Sequence, residues 1–369
     1  MGTASPFESG LWKDPALAGR ALEGLRRLMA GRAAAVNVME VCGTHTMAIA
    51  ASGLRRLLPP GLRMLSGPGC PVCVTAPGDV DRIVHAARLP GVILASFGDM
   101  LKVKGSSGSL DDARAEGADV RVVYSPLDAL ALAQREPGRH VVFAGVGFET
   151  TIPTVGAAVL RAEAAGIENF SVLALFKTVP AALRAVLSDP GHCIHGFLLP
   201  GHVSAIIGLE PYAFAAQEYG VPCVVAGFEP LDILRGLNLL LEQSARKSAE
   251  VANEYDRSVK PQGNPRAREV IRQVFEPCDA VWRAVGNIPA SGLGLRPAYA
   301  RFDALRRFDI PYVPAPEPEG CLCGQVLMGK ARPSDCGLFG KACTPADAVG
   351  PCMVSSEGAC AAWYKYGTE

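Results

Sequence analysis

Two rhythms of apolar and polar positions alternate along this chain. Runs that are apolar at nearly every position recur at 35–41, 92–97, 120–124, 140–144, 170–175, 196–199 and 222–226. Stretches with helical spacing lie between and around them, including 15–31, 80–88 and 110–116. A strand apolar on both faces belongs in a parallel sheet covered by helices, so the pattern predicts an α/β fold. The runs divide into two sets, which predicts two parallel-sheet α/β domains facing a central cleft, over residues 1–130 and 131–245. Leucines at helical spacing follow from Leu231 towards Phe275, and a Pro- and Gly-rich passage at 311–320 leads into a cysteine-rich tail. Residues 246–369 are therefore expected to form a third, helical and loop-rich segment. In open α/β sheets ligands bind at loops leaving the carboxyl ends of strands, which places the expected site in the cleft.

At 369 residues the chain exceeds what one core usually organises, consistent with several domains. Its 36 basic and 36 acidic side chains balance, so the basic surface that nucleic acid or an anionic membrane requires is missing. Neither partner is expected. No apolar run approaches the roughly 20 residues that span a bilayer, and the first residues lack a charged-then-apolar leader, so a cytoplasmic location is expected. In that reducing compartment twelve cysteines read as metal ligands, redox thiols or buried side chains rather than as a disulfide framework.

The tail carries the strongest chemical signal. Cys321, Cys336, Cys343 and Cys360 supply four thiols on loops broken by Pro333, Gly337, Pro345 and Gly350, the number a 4Fe-4S cluster takes. Zinc would more usually show two close Cys-x2-Cys pairs. Cys323 and Cys352 could each replace a neighbour or pack unligated. Upstream, Gly67-Pro-Gly-Cys70-Pro-Val-Cys73 places a Cys-x2-Cys on a turn opening a helix, where reversible disulfide chemistry is favoured; half a zinc site is the rival reading. Cys42 and His45, in Cys42-Gly-Thr-His45-Thr, leave a strand end as metal ligands, as a Cys-His dyad, or as a capped helix start with a buried thiol. Asp99, Glu149 and His202 occupy similar strand-end loops and could act as acid, base or hydrogen-bond partner, or cap helices. Cys193, Cys223 and Cys278 lack ligand spacing and are expected to be buried. No dinucleotide fingerprint or Walker sequence is present, which argues against an NAD or ATP enzyme.

Taken in order, Cys42-Gly-Thr-His45, Gly67-Pro-Gly-Cys70-Pro-Val-Cys73, Phe97-Gly-Asp99-Met100, Gly147-Phe-Glu149-Thr-Thr151, Pro200-Gly-His202-Val-Ser204 and the segment from Cys352 to Cys360 resemble the HypD family of hydrogenase maturation factors. The resemblance implies an assembly scaffold on which iron acquires one carbon monoxide and two cyanide ligands for nickel-iron hydrogenase. It would work as a monomer in a heterodimer with the small chaperone HypC and transiently with the cyanide donor HypE, with redox or weak ATPase activity expected only in complex. It also implies that Cys42 binds the iron, that His45 and Asp99 neighbour it, that Cys70 and Cys73 form a redox pair, and that the tail thiols hold a 4Fe-4S cluster. Lys104 stands where that family's proline is expected. Two other functions are consistent with the residues alone: a free-standing iron-sulfur thiol-disulfide oxidoreductase, and a zinc-stabilised interaction protein.

Overall fold

A computed structural model describes residues 14–367. Among them, a five-stranded parallel sheet contains β1 (Val36–Glu40), β2 (Leu62–Ser66), β8 (Gly196–Pro200), β9 (Cys223–Ala226) and β10 (Val251–Asn253), in the order β10-β9-β8-β1-β2. A four-stranded parallel sheet contains β3 (Val92–Ser96), β4 (Asp119–Val122), β5 (His140–Gly145) and β6 (Phe170–Ala174), in the order β4-β3-β5-β6. The inner strands β3, β8 and β9 are buried at every position, whereas the edge strands β4 and β10 are not. The apolar runs therefore mark covered strands, except that the run at 120–124 folds as the partly exposed edge strand β4.

Strand order divides the chain differently from the expected segments. The boundary at 130 falls inside one sheet, since β3 pairs with both β4 and β5. The other sheet joins β1 and β2 to β8, about 130 residues further on. Apolar runs identify strands but carry no record of their neighbours, because strand pairing is a long-range choice.

Residues 246–369 also differ from expectation. Besides helices they contain a long antiparallel hairpin, β11 (Phe275–Trp282) and β12 (Gly286–Leu295), to which the short β7 (Phe176–Lys177) adds a third strand. Pro277, Pro289, Gly292 and Gly294 interrupt any alternating pattern there, which conceals the hairpin. The cysteine tail has no core of its own: Cys323, Leu327, Cys352, Met353 and Cys360 share one apolar cluster with Val41, Val72, Cys73 and Trp282. The tail is thus built onto the ends of the strands.

Candidate functional site

Cys42 follows β1 and caps the helix Gly43–Ala51 from an extended conformation. The Thr44 and His45 amides at the start of that helix favour the Cys42 thiolate, but burial dominates and pushes the thiol up to about 12. Glu40, fully buried near the end of β1, accepts hydrogen bonds from the Thr46 hydroxyl at 2.6 Å and from Cys42 N at 3.2 Å. Burial outweighs those bonds and raises its carboxyl to about 7.

The Gly67–Cys73 loop lies directly on Cys42. Gly43 N donates to Gly69 O at 3.1 Å, and Gly67 N donates to Glu40 O at 2.8 Å. A Cβ on Gly69 would stand 2.2 Å from Cys42 N, so glycine is required by close backbone approach. Cys70 and Cys73 form a disulfide with a Cα separation of 5.2 Å, across the start of the helix Pro71–Val74. Both half-cystines are buried.

His45 and His202 meet at Phe228, with ring centroids 4.8 and 4.0 Å from the phenyl ring. His45 Nε2 lies 2.8 Å from Gly227 O, which can only accept, so Nε2 carries the proton. His45 Nδ1 is then a bare lone pair, buried and without a hydrogen-bond partner among the described residues. Burial lowers His45 to about 4, keeping the ring neutral. His202 is also lowered, by partial burial.

The tail closes this hollow from the other side. Thr44 Oγ1 donates to Glu357 Oε1 at 2.8 Å, Ser356 Oγ donates to the exposed Asp99 at 3.4 Å, and Cys70 Sγ lies 3.4 Å from Ser355 Oγ. Cys73 Sγ is 4.0 Å from Pro351 O, next to Cys352. Lys104, at the proline position, pairs with Asp347 of the tail at 3.2 Å. Cys42, His45, Cys70, Cys73, Asp99 and His202 therefore border one region. Glu149 occupies a helix-capping position: its carboxylate accepts from Val179 N at 3.0 and 3.2 Å, and burial raises it to about 7. Its charge and that of Cys42 both bear on the buried Tyr212.

Cys323 and Cys352 lie on the short helices Cys323–Leu327 and Pro351–Val354, which contact the disulfide helix. Cys321 and Cys323 bear on one another, as do Cys323 and Cys352, while Cys360 feels Cys323, Cys321, Cys343 and Cys336. The neighbouring Cys323 thiol, then burial, raises Cys321; burial, then its neighbouring thiols, raises Cys360. Ionising several of these crowded thiols would need a compensating cation. Among the described residues no three His, Cys, Asp or Glu side chains are grouped as a single metal ion would require. A cubane spreads its thiolate ligands over separate corners, so the dispersed, all-sulfur and partly buried set fits a cluster better than a closed zinc tetrahedron. Four of the six suffice, and Cys321, Cys336 and Cys343 all act on Cys360.

Cys223 is buried as expected, but Cys193 and Cys278 are exposed. Sequence reasoning assigned no role to Glu40, Ser355, Ser356, Glu357 or Phe228. Glu40 was signalled as the one acid in an apolar strand run, and Ser355-Ser356-Glu357 as a polar segment between two cysteines. A cavity of about 410 Å³ beside Lys177, Cys278 and Tyr312 contains none of the site residues.

The HypD family model, described as "Hydrogenase formation hypA family", matches residues 17–367. The chain is 47% identical over 365 residues to hydrogenase maturation factor HypD of Rhodobacter capsulatus, covering 96% of this chain and 97% of that relative. It is 48% identical over 335 residues to HypD of Escherichia coli (strain K12), covering 90% and 89%, and 46% identical over 339 residues to HypD of Azotobacter vinelandii, covering 90% and 89%. With the cysteine, histidine and tail segments converging on one hollow and similarity running along nearly the whole chain, this protein belongs to the HypD family of hydrogenase maturation factors.

Proposed function

We propose that this maturation factor is the scaffold on which iron receives two cyanide ligands and one carbon monoxide before delivery to nickel-iron hydrogenase, in the cytoplasm, as a monomer paired with a HypC-type chaperone and transiently with a HypE-type cyanide donor. The observation that carries the reading is the packing of the disulfide loop on the Cys42 backbone beneath Glu357 and Ser355. One thiol, one neutral imidazole and one disulfide share a sheltered hollow.

Iron is the cargo. Binding at Cys42 displaces the thiol proton, and the Thr44 and His45 amides stabilise the resulting thiolate. His45 Nδ1, one helical turn away and unpartnered among the described residues, offers a neutral lone pair that can accept a hydrogen bond or ligate. Partial burial also keeps His202 available in its neutral form. Asp99 and Ser356 form the exposed rim where the chaperone would approach. Reduction of Cys70–Cys73 consumes two electrons and two protons and frees two thiols beside Cys42. Cys321, Cys336, Cys343 and Cys360 would hold a 4Fe-4S cluster, which when bound supplies single electrons next to the disulfide helix.

Burial of Cys70 and Cys73 favours this reading over a free-standing oxidoreductase, because protein disulfides could not reach them. The test is infrared spectroscopy of anaerobically purified protein, alone and with the chaperone, beside Cys42→Ser. Metal-bound cyanide and carbonyl bands that disappear in Cys42→Ser while tail iron and sulfide persist are expected. Bands unaffected by Cys42→Ser, or no bands with either preparation, would overturn the scaffold reading.

A further inference from the structure

The tip of the β11–β12 hairpin is wedged between the disulfide helix Pro71–Val74 and the tail. Trp282 bridges Thr75 in antiparallel fashion, Arg283 N donates to Val74 O at 2.9 Å, and Arg283 Nε donates to Thr75 O at 3.0 Å. On the tail side, a Cβ at Gly324 would fall 2.0 Å from Ala284 Cβ, so the residue after Cys323 is glycine where the hairpin turn presses on it. One residue of the hairpin thus touches the segment that carries the redox pair, and the next touches the segment that carries the cysteines.

Arg283 is a charged side chain only 2% exposed. Its Nη1 pairs with Glu317, whose own side chain is 41% exposed. Its Nη2 is buried and has no hydrogen-bond partner among the described residues. A buried guanidinium normally directs every N–H at an acceptor, so an orphaned one marks a place where an acceptor belongs. The segments flanking this charge carry sulfurs: Cys73 lies two residues before Thr75, whose carbonyl Arg283 holds, and Cys323 directly precedes Gly324, on which Ala284 presses. Apolar replacement of a buried ion pair is often neutral or stabilising, so packing alone does not account for a desolvated charge here.

The geometry points to Arg283 as the positioning residue that sets the reduction potential of a sulfur-held cluster in the tail, its free Nη2 donating to a cluster-ligand sulfur while Nε ties it to the disulfide helix. This rests on the cluster reading proposed above. Adding an electron makes the cluster more negative, so a fixed cation and an N–H···S contact stabilise the reduced form and raise its potential. Glu317, the partly solvated counter-ion, moderates the same effect. Placed between the two centres, Arg283 governs whether electrons are held at the cluster or released towards Cys70–Cys73.

The test uses the full chain purified anaerobically, with iron, acid-labile sulfide and the midpoint potential followed by electron paramagnetic resonance. Arg283→Gln is expected to retain iron and sulfide but lower the midpoint by at least a tenfold change in the one-electron equilibrium, about 59 mV. Arg283→Lys, which keeps the charge and loses the fork, should fall between. Glu317→Gln, at the half-exposed end of the pair, should shift the midpoint upward and carries the test should Arg283→Gln fail to fold. Cluster-loaded wild type and Glu317→Gln with indistinguishable midpoints, or a cluster-loaded Arg283→Gln at the wild-type value, would overturn the assignment to Arg283. Wild-type protein lacking iron and sulfide would instead overturn the cluster reading itself, and the assignment with it.

Discussion

Gly69→Ala isolates the contact that brings the disulfide loop onto Cys42. The new methyl would stand 2.2 Å from Cys42 N and from Val41 C, and 2.6 Å from Cys42 Cα. These are backbone atoms following β1, which is paired with β2 on one side and β8 on the other, so they cannot swing aside as a side-chain tip would. Reaching a normal carbon contact requires the loop to retreat by roughly 1.5 Å. That retreat breaks the Gly43 N to Gly69 O hydrogen bond. Overpacking costs about 1–3 kcal/mol and the lost bond about 1 kcal/mol more, so a loss of about 2–4 kcal/mol is expected. Gly138→Ala is the control, because a Cβ there meets nothing within 4 Å. Stability is read from denaturant unfolding, and the contact itself from amide exchange at Gly43, which should quicken. A loss below about 0.5 kcal/mol relative to the control, with Gly43 protection unchanged, would refute the close-approach argument.

Glu40→Gln should alter the pH dependence of stability. The folded carboxyl is raised from 4.5 to about 7, so its contribution is greatest below 4.5 and is lost as pH rises through 7. The full decline is about 3 kcal/mol, and unfolding curves of the variant between pH 4.5 and 7.5 should lack that share; an unchanged slope would contradict it. Glu357→Ala removes the acceptor for Thr44 and should speed iodoacetamide labelling of Cys42 by roughly tenfold or more, whereas an unaltered rate would show that the tail does not cover the thiol. Gly19→Ala, on the exposed face of the helix Pro15–Met29 where a Cβ meets nothing, should stabilise by about 0.8 kcal/mol; a destabilised variant would signal a contact there.

The elements that sequence reasoning located are those whose information is local. The strands β1, β3, β5, β6, β8 and β9 were legible because a segment buried on both faces must be largely apolar, and the loops at Cys42, Asp99, Glu149 and His202 because each follows such a run; the Gly67–Cys73 loop follows β2, which carries no such run, and was found by its cysteine spacing alone. The spacing of Cys70 and Cys73 likewise identified a pair one helical turn apart, and the tail cysteines stood out by number alone. Only the tertiary structure decided that β1 lies beside β8, that the hairpin wedges between disulfide and tail, and that Glu357 covers Thr44. It also separated Glu149, whose carboxylate binds a helix amide, from superficially similar strand-end residues. The physical reason is range: burial and turn chemistry constrain a residue through its immediate neighbours, whereas sheet order and the meeting of Cys42, Cys70 and Glu357 depend on contacts between segments far apart in the chain, which no local pattern records.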